Sequence, residues 1–441
     1  MRQAVILAGG KGTRLKSISG NIPKPMVYIQ DKPLLEHLIQ KCAQFGIFDI
    51  KLLVSYKKEQ IEEYFGDGAR FGVFIKYIYE EAPKGTAGAL IDALPELNKC
   101  FLVIYGDTFF DIDLNSFWEF HQNHSEDASI FLHPNDHPFD SDLVELDSDY
   151  QIKKIHPYPH KTGNWLQNLV NAGIYILNKK VFNDIKLQNK KDLPDIAKDL
   201  FPIMLKSRKK LYGYISTEYI KDMGTPKRFK KLEEDISSGK IENLKRQKPK
   251  VAFFLDRDGT INKEVGHLSN IDKFELYEGV AKSISKVNAL GILVIVITNQ
   301  PVIARGELKE SELKKVHNKM ETLLGRDGAY VDRIYYCPHH TDLGFKNEVK
   351  SLKFDCECRK PKIGLFLQAK NDLNIDLEKS WLVGDTTTDI LAAKNAGIKS
   401  VLVKTGMSGE DRKHKVTPDF IVEDLNSAVD LFLRNINSDY Q

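Results

Sequence analysis

Cysteine is scarce in this sequence, and so is any imbalance of charge. Five cysteines in 441 residues are an odd number in a long chain, which argues against a disulfide framework. The 64 basic and 61 acidic residues leave a net charge of +3, too little to predict a nucleic-acid or membrane partner on electrostatics. Small molecules are the expected partners. No apolar run approaches the ~20 residues that span a bilayer. Met1-Arg2-Gln3 leads directly into a strand-like Ala4 to Ala8, without the apolar stretch and cleavage site of a secretory signal. A cytoplasmic location is therefore expected. No repeat period appears, so a β-helix is not expected. Two familiar glycine motifs are missing too: Lys11 is followed by Gly12, which breaks a P-loop, and Leu15 stands where a dinucleotide fingerprint needs its third glycine.

What is present suits two or three domains of ordinary size. The 42% hydrophobic and 28% charged residues are a usual soluble mixture. Val5 to Leu15 opens the chain as strand, glycine-rich loop and short helix or turn. Well past the midpoint, the apolar run Phe253-Phe254-Leu255 ends abruptly in Asp256-Arg257-Asp258-Gly259-Thr260. Two carboxylates one residue apart at a strand tip outline a phosphoryl-transfer site, with one group to attack and one to carry the proton. Two active sites are expected.

In the first half, the backbone amides of Gly9, Gly10, Lys11, Gly12 and Thr13 can cradle phosphates, with Lys11 and Arg14 adding charge. Lys24 stands between Pro23 and Pro25, whose fixed dihedrals limit where its ammonium points. Small residues around Gly85-Thr86 would let a flat base approach the backbone, and the buried strand Phe101 to Tyr105 ends at Asp107. Asn171-Ala172-Gly173 and Lys221-Asp222-Met223-Gly224-Thr225-Pro226 complete an ordered set that, over roughly residues 1 to 235, resembles the sugar-1-phosphate nucleotidyltransferases. That resemblance implies a Rossmann-like mixed sheet and attack of a sugar 1-phosphate on a nucleoside triphosphate with loss of pyrophosphate. By the same resemblance Gly9 to Arg14 hold the triphosphate, Lys24 neutralises the α-phosphate, and Gly85 and Thr86 line the base pocket. Asp107 and Asp222 ligate Mg2+, and Asn171 contacts the sugar. Many relatives carry a phosphate-binding lysine in Glu-Lys-Pro; here the stretch reads Lys153-Lys154-Ile155-His156-Pro157, and Lys153, Lys154 or Lys161 are the candidates to replace it.

A helical pattern over Lys227 to Ile236 gives way to Ser237-Ser238-Gly239-Lys240 and a basic run ending at Pro249-Lys250, the composition of a linker. The expected division is 1–236, a linker over 237–250, and 251–441. Beyond it, strands and helices alternate: helix Val280 to Leu290, strand Ile292 to Ile297, helix Glu310 to Leu324, strand Ile334 to Tyr336, helix Gly364 to Leu373 and strand Ser380 to Val383. This rhythm predicts a parallel, doubly wound sheet. Polar tips recur at Thr298-Asn299-Gln300 and Gly384-Asp385-Thr386-Thr387-Thr388-Asp389. Residues 250 to 435 resemble the haloacid dehalogenase phosphatases, which implies Asp256 as nucleophile, Asp258 as acid and base, Thr298 on the phosphoryl group and Lys360 neutralising it. Mg2+ would be held by Asp256, Asp258 and Asp385, with Asp389 orienting neighbours or capping a helix.

Cys337, His339, Cys356 and Cys358 flank a polar loop, and three thiols with an imidazole suffice for a closed, structural Zn2+ site. Together with Ile303-Ala304-Arg305-Gly306 and Arg359-Lys360-Pro361, this loop makes the second half resemble the D-glycero-D-manno-heptose 1,7-bisphosphate 7-phosphatases. That family has a minimal cap, with Asn299, Arg305 and Arg359 toward the substrate. Pro301-Val302 departs from the usual Ser-Gly. Such a phosphatase yields a heptose 1-phosphate, which a nucleotidyltransferase consumes, so the chain reads as a bifunctional enzyme making a nucleotide-activated heptose, with GTP the implied triphosphate. The rivals keep both chemistries on another sugar or polyol phosphate, or make the first half a non-catalytic nucleotide-sugar sensor. Homo-oligomer formation is left open.

Overall fold

A computed structural model describes residues 2–10, 12–80, 84–124, 127–161, 163–184 and 195–439. Lys11 and the side chain of Thr13, both expected at the triphosphate, lie outside the described parts. The chain divides into two compact units, one of Met1–His133, Asp140–His160 and Leu169–Ile241, the other of Pro134–Phe139, Lys161–Asn168 and Glu242–Gln441.

In the first unit the apolar segment Gln3–Leu7 is buried along most of its length, so it reads as a central strand covered on both faces. It pairs in parallel with Asp49–Val54 on one side and Cys100–Tyr105 on the other. Phe74–Tyr79 extends the parallel part, whereas Val170–Asn178 joins Cys100–Tyr105 antiparallel, giving the expected mixed sheet. Helix Leu34–Gln44 buries Leu34, Leu35, Leu38, Ile39 and Cys42, an apolar stripe at helical spacing. A separate small ladder pairs Thr108–Asp111 antiparallel with Tyr219–Asp222, setting Thr108 opposite Asp222. It brings residues more than a hundred positions apart to one place. Cys42 is buried, whereas Cys100 is half-buried and lies 3.6 Å from His121 Nε2.

The second unit is built on six described parallel strands. Their spatial order is Arg333–Cys337, Leu293–Asn299, Ala252–Leu255, Trp381–Gly384, Lys399–Val403, Phe420–Val422. The first strand in sequence thus stands in the middle, and the strand order reverses between it and Trp381–Gly384. Ligands of open α/β sheets bind at that crevice, outside the carboxyl ends. Asp256 and Asp385 are the residues that leave those two strands. Helix Gly364–Leu373 has the expected bounds, and Val280–Ala289 and Glu310–Gly325 differ from theirs by one residue. Helix Thr387–Ala396 starts on a capping box of Thr386 and Asp389 and stops at Gly397 with φ +68°. Between the halves, 237–250 contains the short helix Lys240–Asn243. Its basic run is not wholly solvated: Lys250 is buried, and its ammonium donates to the carbonyls of Arg246, Lys248 and Leu373.

Candidate functional sites

In the first unit a cavity of about 390 Å³ opens at the carboxyl end of Gln3–Leu7, lined by Gly9, Gly10, Gly12, Arg14, Lys24, Gly85, Thr86 and Asp107 together with Glu80, Tyr105 and Gly224. Gly12 has φ +60°, and a Cβ there would fall 2.8 Å from Lys24 Cβ, so only glycine lets the loop lie on the lysine stem. Lys24, buried in the turn Lys24–Met26, places Nζ 2.5 Å from Asp107 Oδ2. The small ladder sets Asp222 beside Asp107, with Met223 N donating to Asp107 O at 2.9 Å. Asp222 Oδ1 accepts from Gly224 N at 2.9 Å and from Arg228 at 2.7 Å, while the other arm of Arg228 reaches Asp140 at 2.7 Å. Each carboxylate therefore carries a cation of the chain itself.

Thr86 lines the cavity, but its hydroxyl also accepts from Ile196 N at 2.9 Å and lies 3.4 Å from Tyr105 Oη, which ties the start of helix Gly85–Ala93 to its surroundings. Burial pushes Glu80 above the ordinary carboxylate range. Asn171 is not among the residues lining this cavity; its Oδ1 accepts from Gly173 N at 3.1 Å. Lys153 and Lys154 are exposed on strand Ile152–His156 and do not line it either.

In the second unit Asp256, Asp385 and Asp389 bring carboxylate oxygens within 4.8 Å of one another. Lys360, 3% exposed, enters the group: its Nζ lies 2.9 Å from Asp256 Oδ1 and 2.5 Å from Asp389 Oδ1, and it donates to Ile297 O at 2.7 Å. Burial raises Asp256 to about 7 against the pull of Lys360, and burial together with Asp389 and Asp256 raises Asp385 to about 9. Asp385 Oδ1 is buried with no hydrogen-bond partner. One ammonium cannot neutralise three carboxylates, and an orphaned hard oxygen is what a divalent cation takes.

Asp258, expected in the metal set, lies outside this group. Its carboxylate accepts from Arg257 at 3.1 and 2.6 Å, from Asn262 at 2.9 Å and from Gln300 at 2.9 Å. Burial alone would raise it, but the Arg257 guanidinium and these donors hold it below the ordinary range. Asp389, expected only as an orienting or capping residue, does cap its helix and also joins the carboxylate group. Thr298 is buried and accepts from Gln300 at 3.0 Å. The amide of Asn299 bonds both backbone groups of Lys360, at 3.0 and 3.1 Å, so it holds the lysine's chain in place.

The sulfurs of Cys337, Cys356 and Cys358 lie 3.2 to 3.5 Å apart, and His339 Nδ1 is 3.1 Å from Cys358 Sγ and 3.6 Å from Cys337 Sγ. A tetrahedron with bonds of ~2.0–2.3 Å has edges of roughly 3.3–3.8 Å, so the four atoms fit a single small ion. His340, next to this set, is buried, and Arg305 NH2 donates to its Nε2 at 3.1 Å. Arg305 also stacks on Phe345, 4.7 Å from the ring centre. Arg359 donates to His339 O at 3.0 Å, which connects the strand-end residues to this loop. Arg257, Asn262, Gln300 and Arg228 were not singled out from sequence for these contacts. Arg257 and Asn262 are near Asp258 in sequence and Arg228 is near Asp222, but nothing at these positions marks the pairing, and Gln300 lies 42 residues from Asp258.

Residues 3–239 match the nucleotidyl transferase family model, and residues 357–428 match the HAD-hydrolase-like model. A D-glycero-β-D-manno-heptose-1,7-bisphosphate 7-phosphatase of Haemophilus ducreyi is 43% identical over 188 residues, 41% of this chain and 96% of that protein. The enzyme of the same name from Pasteurella multocida is 46% identical over 158 residues, 36% of this chain and 83% of its own. A D-glycero-α-D-manno-heptose 1-phosphate guanylyltransferase of Campylobacter jejuni is 40% identical over 225 residues, 51% of this chain and 95% of that protein.

Proposed function

Because the chain belongs to the nucleotidyl transferase family through its first half and to the heptose-bisphosphate 7-phosphatases through its second, we propose that it performs two consecutive steps on one sugar. The first removes the 7-phosphate of D-glycero-D-manno-heptose 1,7-bisphosphate. The second transfers GMP from GTP to the heptose 1-phosphate, releasing pyrophosphate. One observation carries this reading: a 7-phosphatase acting on a heptose 1,7-bisphosphate leaves a heptose 1-phosphate, the kind of compound that the guanylyltransferase relative is named for. Their names differ in anomer, β for the phosphatases and α for the transferase. Hydrolysis at C7 breaks no bond to C1, so the intermediate keeps the anomer of the bisphosphate. For the steps to connect, the phosphatase of this chain accepts the α form, and Pro301-Val302 is a place where its loop differs from the usual Ser-Gly. We divide the functions at 1–236 and 251–441 and place the protein in the cytoplasm, where a thiolate set stays reduced.

In the phosphatase, a carboxylate oxygen of Asp256 attacks the 7-phosphorus, the bond to the C7 oxygen breaks, and Asp258 gives that oxygen its proton. Water then attacks the aspartyl-phosphate, Asp258 takes the proton, and phosphate leaves. Lys360 neutralises the phosphoryl group, and Thr298 donates a hydrogen bond to it. Asn299 holds Lys360 at the strand edge. Substrate binding draws Asp258 away from part of its donor set, because a carboxylate held below its ordinary range is a poor acid. Asp256, Asp385 and Asp389 would hold Mg2+, which supplies charge neutralisation. Cys337, His339, Cys356 and Cys358 would hold a structural Zn2+, and Arg305 and Arg359 face the sugar beside that loop.

In the transferase, an oxygen of the sugar phosphate attacks the α-phosphorus and the bond to pyrophosphate breaks. A phosphate dianion carries no proton on the attacking oxygen, so no base is required, and positioning with charge neutralisation suffices. The Gly9 to Arg14 loop cradles the triphosphate, Lys24 faces the α-phosphate, and Gly85 and Thr86 border the base. Asp107 and Asp222, hard donors side by side, would hold Mg2+ for charge neutralisation, with Lys24 ceding part of its ion pair. The test is the full-length protein with α- and β-heptose 1,7-bisphosphate and each common triphosphate. Phosphate release from the α form and pyrophosphate release with GTP are expected. No phosphate release from either anomer overturns the reading.

A further inference from the structure

We infer that Arg228 anchors the phosphate of the sugar 1-phosphate in the first site, an assignment that rests on reading this unit as a nucleotidyltransferase. Two anions must enter one cavity, and the triphosphate has the glycine loop, Arg14 and Lys24 at its disposal. The lysines that sequence offered for the second anion, Lys153, Lys154 and Lys161, are all exposed and none lines the cavity, and Lys153 pairs with Asp147 at 2.7 Å. Arg228 is not among the lining residues either, but it stands next to Gly224, which is. It stands in the first turn of helix Pro226–Ser237, whose N-cap Thr225 accepts from Arg228 N at 3.3 Å, so its backbone is fixed. Its side chain is 16% exposed, and NH1 is held by Asp222 Oδ1 at 2.7 Å.

The passage between this guanidinium and the cavity is Gly224, which lines the cavity. A Cβ on Gly224 would lie 2.8 Å from Asp222 Oδ1, 3.4 Å from Arg228 NH1 and 3.8 Å from Arg14 NH2. Glycine therefore keeps a side chain out of a corner that two guanidiniums and one carboxylate already close in on, at the side of the cavity where Asp107 and Asp222 meet. The second arm of Arg228 rests on Asp140, whose side chain is 51% exposed. A solvated carboxylate gives up a partner at little cost, and a phosphate dianion suits the planar guanidinium fork better than a single exposed carboxylate oxygen. NH1 then stays on Asp222 while NH2 turns from Asp140 to the sugar phosphate. Arg228 would thereby tie the attacking phosphate to an aspartate of the reaction centre.

The experiment measures steady-state pyrophosphate release by the full chain with a panel of sugar 1-phosphates, including heptose and mannose 1-phosphates, and GTP. Arg228→Ala is expected to raise KM for the accepted sugar 1-phosphate about 10- to 100-fold while moving KM for GTP less than about twofold. Arg228→Lys restores part of the loss. Asp140→Asn, which removes only the second partner, leaves KM for the sugar phosphate unchanged or lowers it. Equal rises in both KM values, an unshifted sugar-phosphate KM in Arg228→Ala, or a rise in Asp140→Asn as large as in Arg228→Ala makes Arg228 a brace for Asp222 and overturns the assignment alone. Failure of the unaltered chain to release pyrophosphate with any sugar 1-phosphate overturns the underlying reading and the assignment together.

Discussion

Lys360→Met separates the two activities and has a size that the structure sets. The ammonium has three N–H groups and three oxygen neighbours, Asp256 Oδ1 at 2.9 Å, Asp389 Oδ1 at 2.5 Å and Ile297 O at 2.7 Å. Methionine fills a similar volume, but it leaves a buried carbonyl unpaired and three carboxylates facing one another. Breaking a buried ion pair from one side costs about 3–5 kcal/mol. The carboxylates have one escape, taking up a proton, which costs an ordinary aspartate ~4 kcal/mol at pH 7 and caps the loss near that figure. For a unit of this size, ~4 kcal/mol corresponds to a fall in Tm of roughly 10 °C. The rate is expected to fall further, by about 10²- to 10³-fold, because in the proposed mechanism the variant also loses the charge that neutralises the transferred phosphoryl group. Scanning calorimetry and phosphate release are the assays, with pyrophosphate release from heptose 1-phosphate as an internal control. Adding Asp389→Asn to Lys360→Met is expected to recover stability without recovering phosphatase activity. A less than tenfold fall in phosphate release, or an equal fall in pyrophosphate release, refutes the reasoning.

The thiolate and imidazole group gives a second prediction: mass spectrometry of the purified chain finds one zinc per chain, and Cys358→Ala loses most of it while pyrophosphate release continues. Undiminished zinc in that variant contradicts the four-ligand set. Glu321, buried on helix Glu310–Gly325, is raised by burial to about 8. Its folded value lies above the unfolded ~4.3, so its contribution is fully present below about pH 4.3 and lost as pH rises through about 8. Glu321→Gln is expected to flatten the fall in Tm between about pH 5 and pH 8; parallel profiles for the two proteins contradict this.

Much of both sites was legible because strand ends advertise themselves. A buried run such as Phe101 to Tyr105 or Phe253 to Leu255 can end in a carboxylate only where the chain emerges, so Asp107, Asp256 and Asp385 were visible, and their motif order identified the chemistry. The doubly wound sheet followed from alternating periodicities. What did not show was pairing between distant side chains. Nothing local in Asp258 indicates that Arg257, Asn262 and Gln300 surround it, since Gln300 is 42 residues away and meets it through the order of the strands. Asp222 reaches Asp107 through a four-residue ladder too short to have a periodic signature. Arg228 is one of several cations in the helix Pro226–Ser237, and nothing in the sequence sets it apart from the others. Lys250, at the end of the basic run in the linker, is buried because backbone carbonyls satisfy its ammonium.

The most direct test of the account follows full-length protein, GTP and α-heptose 1,7-bisphosphate in one tube by phosphorus NMR. Phosphate is expected first and pyrophosphate after it, approaching one of each per sugar. Asp256→Asn should block both until heptose 1-phosphate is supplied, which restores pyrophosphate alone. Pyrophosphate formed while the bisphosphate stays intact, or phosphate never followed by pyrophosphate, would contradict the claim that the two halves act in sequence on one sugar.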